Sequence, residues 1–467
     1  MDNRQPVFDR GARRPRDFEL GRAARLLLDY GTAVVVLERD TLPSDAAHRA
    51  GTPQSKHVHG LLGGGQRALG QLFPGFEQDL ERAGAVPIRV TLDVRIEMPG
   101  YDPFPQRDLG FVTYSMSRPL IEFLVRRRVE RRANVTLRPR CRVRDLVPSD
   151  DHAAVIAVRF ENPDREGETL SADVVVDASG RGNLTRNLLE AIGQTMPEET
   201  VIGVDIGYAT AVFAIPDDPP SDWKAMRTLP NIQESTRGAL MLPLEGGRWM
   251  VTLGGRRDDK PPGDAEGFLT FAQQLRTPTL YNAIRRAKLL DDVVRFGFSA
   301  SVWRHYERLE SFPRGLLPLG DAICCFNPVY GQGMSVAAQE ALLLLRLLRS
   351  REGDPLAGLA PAFFLRRGGR ADRDAVGVGG GPGSRFFRNR RATPTGSGAH
   401  AEIPARPQPI DGSGPGPPPK SARSPASHET AQRPARPCTR RARASDDGRG
   451  MRFQTTYRLV RSSHSCC

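Results

Sequence analysis

Gly320-Asp321-Ala322-Ile323-Cys324-Cys325-Phe326-Asn327-Pro328-Val329-Tyr330-Gly331-Gln332-Gly333-Met334-Ser335 is the stretch that decides the fold. A short apolar run, Leu316-Leu317-Pro318-Leu319, precedes it, and a leucine-rich segment reaching Leu348 follows it. The first run reads as a buried strand and residues 333–348 as a long helix, so the stretch joins a strand to a helix. Gly320 allows backbone to approach a ligand closely. Asp321 places a carboxylate at the strand's carboxyl end. Pro328 and the turn from Gly331 to Gly333 lead into a helix start, where free N–H groups and the helix dipole favour negative charge. A plain Gly/Pro turn before an ordinary helix is the competing reading, and the length and order of the segment argue against it.

Two upstream segments have a related form. Asp173-Val174-Val175-Val176-Asp177 is a buried strand running into Ala178-Ser179-Gly180-Arg181-Gly182, which puts a carboxylate and bare backbone where open α/β sheets bind ligands. Ala33-Val34-Val35-Val36-Leu37 ends in Glu38-Arg39-Asp40 and follows a helical run, residues 23–28, closed by Gly31. A carboxylate there can accept hydrogen bonds from the two hydroxyls of a ribose, although many strands end in an acid. Residues 118–132 are helical in rhythm, 135–137 and 153–160 read as strands, 201–215 and 238–254 as antiparallel strands, and 264–289 as mainly helical. The fold class is α/β, a Rossmann-like dinucleotide domain interrupted by an inserted antiparallel-sheet domain.

The chain has 467 residues and 39% hydrophobic content, enough for two or three domain-sized units. No apolar run approaches the roughly 20 residues of a membrane span. The N-terminus is not a secretory signal. Six cysteines without metal-like spacing imply neither a disulfide framework nor a metal site. A cytoplasmic setting is the expectation. The net charge of +13 is unevenly placed: residues 366–467 hold 20 Lys+Arg and 7 Asp+Glu, and residues 1–365 hold 47 of each. A neutral body argues against specific nucleic-acid binding. The tail, rich in Gly, Pro, Arg, Ser and Ala, lacks apolar periodicity and reads as disordered. Its composition, with Lys420 as its one lysine, is also that of a GC-rich gene read out of frame from near Phe364–Arg367.

In their order, the three segments resemble the class A FAD-dependent monooxygenases, the aromatic-hydroxylase and epoxidase superfamily. Val36-Leu37-Glu38-Arg39-Asp40, Pro53-Gln54-Ser55-Lys56-His57-Val58-His59-Gly60-Leu61-Leu62 and Leu72-Phe73-Pro74-Gly75-Phe76 are similar to a bacterial subgroup of FAD-dependent oxidoreductases and polyether-type epoxidases. The resemblance implies an FAD-binding domain over residues 21–190 and 290–365, a substrate domain over 191–289, an irregular N-terminus over 1–20, and the basic tail over 366–467. It implies FAD, reduced by NADPH or NADH, with O2 and a lipophilic or aromatic small molecule as the other reactants. The implied cofactor-binding residues are Glu38, Arg39, Arg118, Asp177, Gly180, Gly320, Asp321, Pro328, Gly331, Gln332, Gly333 and Met334. His57 and His59, two apart, are candidates to line the ring or carry a proton, and each could equally hydrogen-bond backbone. Gln54 and Lys56 could reach cofactor phosphate or ribityl groups. Cys324 and Cys325 read as packing residues. Trp249 and Trp303 could face a substrate, with core packing the stronger expectation.

One departure stands out. The family's opening strand and Gly-x-Gly-x-x-Gly turn are missing: with Gly21 as the third glycine, the first two fall at Arg16 and Phe18. A geranylgeranyl-reductase-like flavoprotein, which shares the same cofactor motifs, and an inactive product of a frameshifted monooxygenase gene are the alternatives. Flavin halogenases share the fold but carry a Trp-x-Trp-x-Ile-Pro segment that this sequence lacks.

Overall fold

The computed structural model describes residues 33–231, 235–351 and 353–367. The helix expected at residues 23–28, Gly21, Gly31 and the tail beyond 367 lie outside them. Along the described chain, β1 (Val34–Leu37) leads through a 3-10 turn at Pro53–Lys56 to helices α1 (Gly63–Leu72) and α2 (Phe76–Arg82). Strands β2 (Val86–Arg89), β3 (Val94–Glu97) and β4 (Val112–Ser115) follow, then α3 (Arg118–Glu130) and β5 (Val135–Arg138). A meander of β6 (Arg142–Pro148), β7 (Val155–Glu161) and β8 (Gly167–Ser171) precedes β9 (Val175–Asp177) and α4 (Leu184–Ala191). Next come β10 (Glu199–Ala214), β11 (Ala225–Thr228), β12 (Gly238–Leu244) and β13 (Arg248–Arg256), then α5 (Ala265–Gln273) and α6 (Thr279–Ile284). The last elements are β14 (Val294–Arg304), β15 (Leu316–Pro318), β16 (Cys324–Cys325) and α7 (Gly333–Arg349).

Two parallel pairs stand outside the large sheet. Val34 of β1 lies opposite Val135 of β5, and Leu316 of β15 lies opposite Val175 of β9. Parallel strands need both faces covered, which is why they are short unbroken apolar runs. Val34, Val36, Leu317 and Leu319 share one core with Leu69 and Leu72 of α1, Ile121 and Val125 of α3, and Ala338 and Leu344 of α7. Helix α1 forms despite opening on three glycines, because it lies against α7. A Cβ on Gly65 would stand 2.7 Å from the Ser335 Cα, and one on Gly64 would meet the Gln339 side chain. The Leu62 N–H donates to Ser335 Oγ at 3.0 Å across the same seam. Residues 359–367 are helical and carry Phe363 and Phe364 into this core.

The large sheet has the order β16-β14-β10-β13-β12-β11-β3. It therefore reaches beyond residues 191–289, with strands at 94–97, 294–304 and 324–325. All neighbours are antiparallel except β3 and β11. Alternation gives the sheet two different faces. Ala209, Ala211, Phe213, Met226, Met241, Val251 and Leu253 pack on Phe268 and Phe271 of α5 and Leu280 and Ile284 of α6. The intervening residues, Tyr208, Thr210, Arg227, Leu240 and Thr252, turn to the other face. Among the described residues no helix is long and apolar enough to cross a membrane.

Candidate functional site

The strand β15 ends beside β9, with Pro318 opposite Asp177, and the Leu319 N–H donates to the Asp177 carbonyl. Two turns thus leave the sheet side by side. In the first, Gly320 has φ +65°, a conformation that favours glycine. Its N–H donates to Glu340 Oε2 at 2.7 Å, and the other oxygen of Glu340 is paired with buried Arg367. The turn is pinned from α7. Asp321 is half-buried; burial lifts its carboxyl to about 6, against the pull of the Arg181 and Arg118 guanidiniums. Asn327 Oδ1 accepts from the Val329 N–H at 3.1 Å, which shapes the 3-10 turn Pro328–Tyr330, and Gly331 closes it at φ +63°. Pro328 is exposed, Gln332 half-buried, and Met334 buried in the core behind. A Cβ placed on Gly331 or Gly333 would meet no atom within 4 Å. Helix α7 starts at this open space without a side-chain cap.

In the second turn, Asp177 Oδ1 accepts from the Ser179 N–H at 3.0 Å, and Oδ2 accepts from the Thr185 N–H at 3.1 Å and its hydroxyl at 2.6 Å. Both oxygens are engaged within the segment, so Asp177 shapes the turn in which Gly180 has φ +65°. Arg181 then reaches across to Cys325 Sγ at 2.9 Å and lies over the Phe298 ring at 4.6 Å. Burial pushes the thiols of Cys324 and Cys325 up to about 12, which suits packing residues rather than thiolates.

At the carboxyl end of β1, Glu38 is 4% exposed. Its Oε1 accepts from the Asp40 N–H at 2.8 Å, while Oε2 is buried with no partner. Arg49 spans the neighbouring acids, 2.9 Å from Asp40 Oδ2, 2.8 Å from Glu122 Oε1 and 3.5 Å from Glu38 Oε1. Burial lifts Glu38 to about 7; the Asp40 amide opposes this, and the Asp40 and Glu122 charges add to it. Arg39 sits half-buried, 3.5 Å from Asp40 Oδ1.

The segment 53–62 crosses between these turns and the large sheet. His57 Nδ1 lies 2.7 Å from Thr210 Oγ1, which is 2.6 Å from Thr252 Oγ1, and the His57 ring packs 5.5 Å from Phe296. His59 Nδ1 instead turns back to the His57 carbonyl at 2.8 Å. Burial pushes His57 down to about 4, and burial together with Arg118 pushes His59 down to about 3. Both rings are neutral at pH 7. Arg118, buried at the first turn of α3, is capped by Ser117, whose Oγ accepts from the Leu120 N–H at 3.2 Å. The Gln54 amide is buried with neither Nε2 nor Oε1 bonded, and Lys56 is exposed. Trp249 lies in the helix-backed core, and Trp303 packs 4.5 Å from the His305 ring.

No family model matches the chain. It is 35% identical over 350 residues to Protein Rv3254 of Mycobacterium tuberculosis, covering 72% of each chain. The chain belongs to the Rv3254 family. In fold, this Rv3254 relative is similar to the flavin-dependent brominase Bmp2 (TM-score 0.58, 14% identity, 78% of this chain and 84% of that one). It is also similar to PqsL of Pseudomonas aeruginosa, described as a probable FAD-dependent monooxygenase (TM-score 0.57, 17% identity, 76% of this chain and 90% of that one). At these identities the likeness is one of fold: mixed α/β with a large multi-stranded sheet.

Several residues at this site of the Rv3254 relative were not visible in its sequence. Arg49 stands in a loop, eleven residues after Glu38, with nothing local to mark it. Glu340 and Arg367 support the Gly320 turn from afar; a glutamate within the apolar face of α7 was the available signal. Tyr208, Thr210, Arg227 and Thr252 alternate with apolar residues in their strands, as solvent-facing positions also do.

Proposed function

We propose that the chain binds FAD and, with NADPH or NADH and O2, inserts one oxygen atom into a lipophilic or aromatic small molecule by epoxidation or hydroxylation. The observation that carries this reading is the uncapped start of α7 facing open space at Gly331 and Gly333, beside Asp321. The residues present fit the cofactor at both ends. The bare Oε2 of Glu38 suits an adenosine ribose hydroxyl. Asp321 suits a ribityl hydroxyl, and the N–H groups of Gly333 and Met334 suit negative charge at the edge of a reduced ring. For the pyrophosphate, the sequence before residue 33 has Arg16 and Phe18 in place of the first two glycines of the expected turn. When bound, FAD supplies the two-electron chemistry and the activation of O2. The chain's own residues orient and shield. Arg118 holds positive charge beside Asp321, Asp177 fixes the Gly180 turn, and Glu340 with Arg367 fixes Gly320. The sheet face bearing Thr210 and Thr252 supports the substrate, with neutral His57 donating or accepting a hydrogen bond there. Halogenation is not proposed: Trp223, Trp249 and Trp303 are too far apart in sequence to form a Trp-x-Trp segment.

Titrating FAD into the purified chain tests this. Quenching of flavin fluorescence and a yellow complex are expected, with Glu38→Ala weakening binding at least about tenfold. A colourless protein that leaves flavin fluorescence unchanged overturns it. Labelled O2 then separates oxygen insertion, which places label in the product, from double-bond reduction, which does not.

A further inference from the structure

The face of the large sheet turned away from α5 and α6 carries a guanidinium with no carboxylate beside it among the described residues. Arg227 lies opposite Leu240, Leu240 opposite Thr252, and Thr252 opposite Thr210. Directly opposed residues share a face, so these four form one row, with His57 bonded at the Thr210 end. Tyr208, two residues before Thr210, shares that face, and so does Phe296, opposite Tyr208 on β14. The row through Tyr208 continues as Gly254 and Gly238, which have no side chains. That row adds no side chains of its own beyond Tyr208, whose ring lies over Gly254 while Pro230 lies over Gly238, and Tyr208 and Arg227 each feel the other's charge.

Both groups are short of partners. Arg227 is half-buried, and among the described residues its hydrogen bond runs from Nη2 to the Val329 carbonyl at 3.4 Å, in the turn that precedes α7. Among the described residues no carboxylate pairs with it. Burial lowers its pKa, an effect that Tyr208 and Tyr330 oppose. The Tyr208 hydroxyl is buried with no partner. A desolvated cation and a desolvated hydroxyl are both unfavourable until something accepts their hydrogen bonds. A guanidinium presents a planar fork that matches the two oxygens of a carboxylate, and a phenol adds a third donor. Phe296 and Leu240 offer apolar surface on the same face.

We propose that Arg227 and Tyr208 form an anion-recognition subsite, so that the small molecule taken by this face carries a carboxylate on an aromatic or lipophilic frame. The inference deepens the flavin reading and rests on it for its link to oxidation, whereas the binding itself can be measured without cofactor. The probes are 2-naphthoate and its neutral counterpart 2-naphthamide, titrated calorimetrically into the full-length chain without added FAD. Naphthoate is expected to bind at least about tenfold more tightly than the amide. Arg227→Gln should bring the two to parity while leaving the amide's affinity unchanged, and Tyr208→Phe should weaken naphthoate several-fold. Arg227→Gln removes an uncompensated charge, so it should melt no lower than wild type, which separates lost recognition from lost folding. Equal affinity of the wild type for both probes, no binding of naphthoate, or a preference that survives Arg227→Gln overturns the proposal. A chain that prefers naphthoate but ignores FAD retires the flavin reading alone, and a flavin-binding chain without the preference retires the subsite alone.

Discussion

Glu38 is a carboxylate with one oxygen engaged by the Asp40 backbone N–H, the other bare, and two further acids nearby. Its burial raises the carboxyl from 4.5 to about 7. Between those values the folded chain keeps a proton that the unfolded chain releases, so the stability tied to Glu38 falls as pH rises through the window. His57 works in the opposite direction. Burial lowers it from 6.5 to about 4, so the unfolded chain takes up a proton that the folded chain refuses, and stability falls as pH drops from 6.5 towards 4. The two effects overlap and offset each other in the wild type. Glu38→Gln removes one of them. The stability of this variant relative to wild type should therefore rise between about pH 5 and pH 7.5, by on the order of 2–3 kcal/mol at ~1.4 kcal/mol per pKa unit. Urea denaturation across that range reads it directly, and a difference that stays flat would show that Glu38 titrates as an ordinary carboxylate.

At the scale of elements, close helix packing explains what intrinsic preference does not. Gly63, Gly64 and Gly65 open α1, a poor start by propensity, and the approach of α7 is what requires the glycine at 65. Gly65→Ala should cost about 1–3 kcal/mol, because its methyl meets Ser335 backbone. Gly70→Ala, in the same helix but with nothing within 4 Å, should gain about 0.5–1 kcal/mol. Comparing the two urea midpoints checks the argument, and equal shifts would refute it. This contrast also marks where the sequence was legible. β1 and β9 could be read because buried parallel strands are unbroken β-branched runs, and α7 because its leucines recur along a helix. β14 carries the period-2 signal too, with Val294, Phe296, Phe298, Ala300 and Val302 alternating with Arg295, Gly297, Ser299 and Ser301; what was not legible is its place in the large sheet, set by β10 nearly a hundred residues earlier. The Gly320–Gly333 stretch was legible as the join between a buried strand and a long helix. The engagement of Asp177 by Thr185 was not, since nothing local says that a threonine eight residues on will fold back onto it.

For the whole molecule, the described body is tied together across its two main cores. His57 and Val58 bond Thr210 and Thr252, the Ser115 hydroxyl donates to the Pro243 carbonyl at 2.6 Å, and the Ser117 N–H donates to Glu245 Oε2 at 2.9 Å. Both edge strands of the large sheet are borrowed: β3 comes from between α2 and α3 in the chain, and β16 from between β15 and α7. Losing either core would strip the other of strands or of covered polar groups, which favours a single cooperative transition. The tryptophans supply local probes. Trp223 and Trp249 stack at 6.4 Å inside the helix-backed core, and Trp303 packs against the core of the parallel strands. Trp303→Phe leaves fluorescence from the first core, and Trp223→Phe with Trp249→Phe leaves it from the second. Once corrected for each variant's own stability by far-ultraviolet dichroism, both signals should change at the same urea concentration, within about 0.2 M. Two separated midpoints would mean that the borrowed strands detach before the cores melt, and that the large sheet and the strand-to-helix turns can be uncoupled in the folded chain.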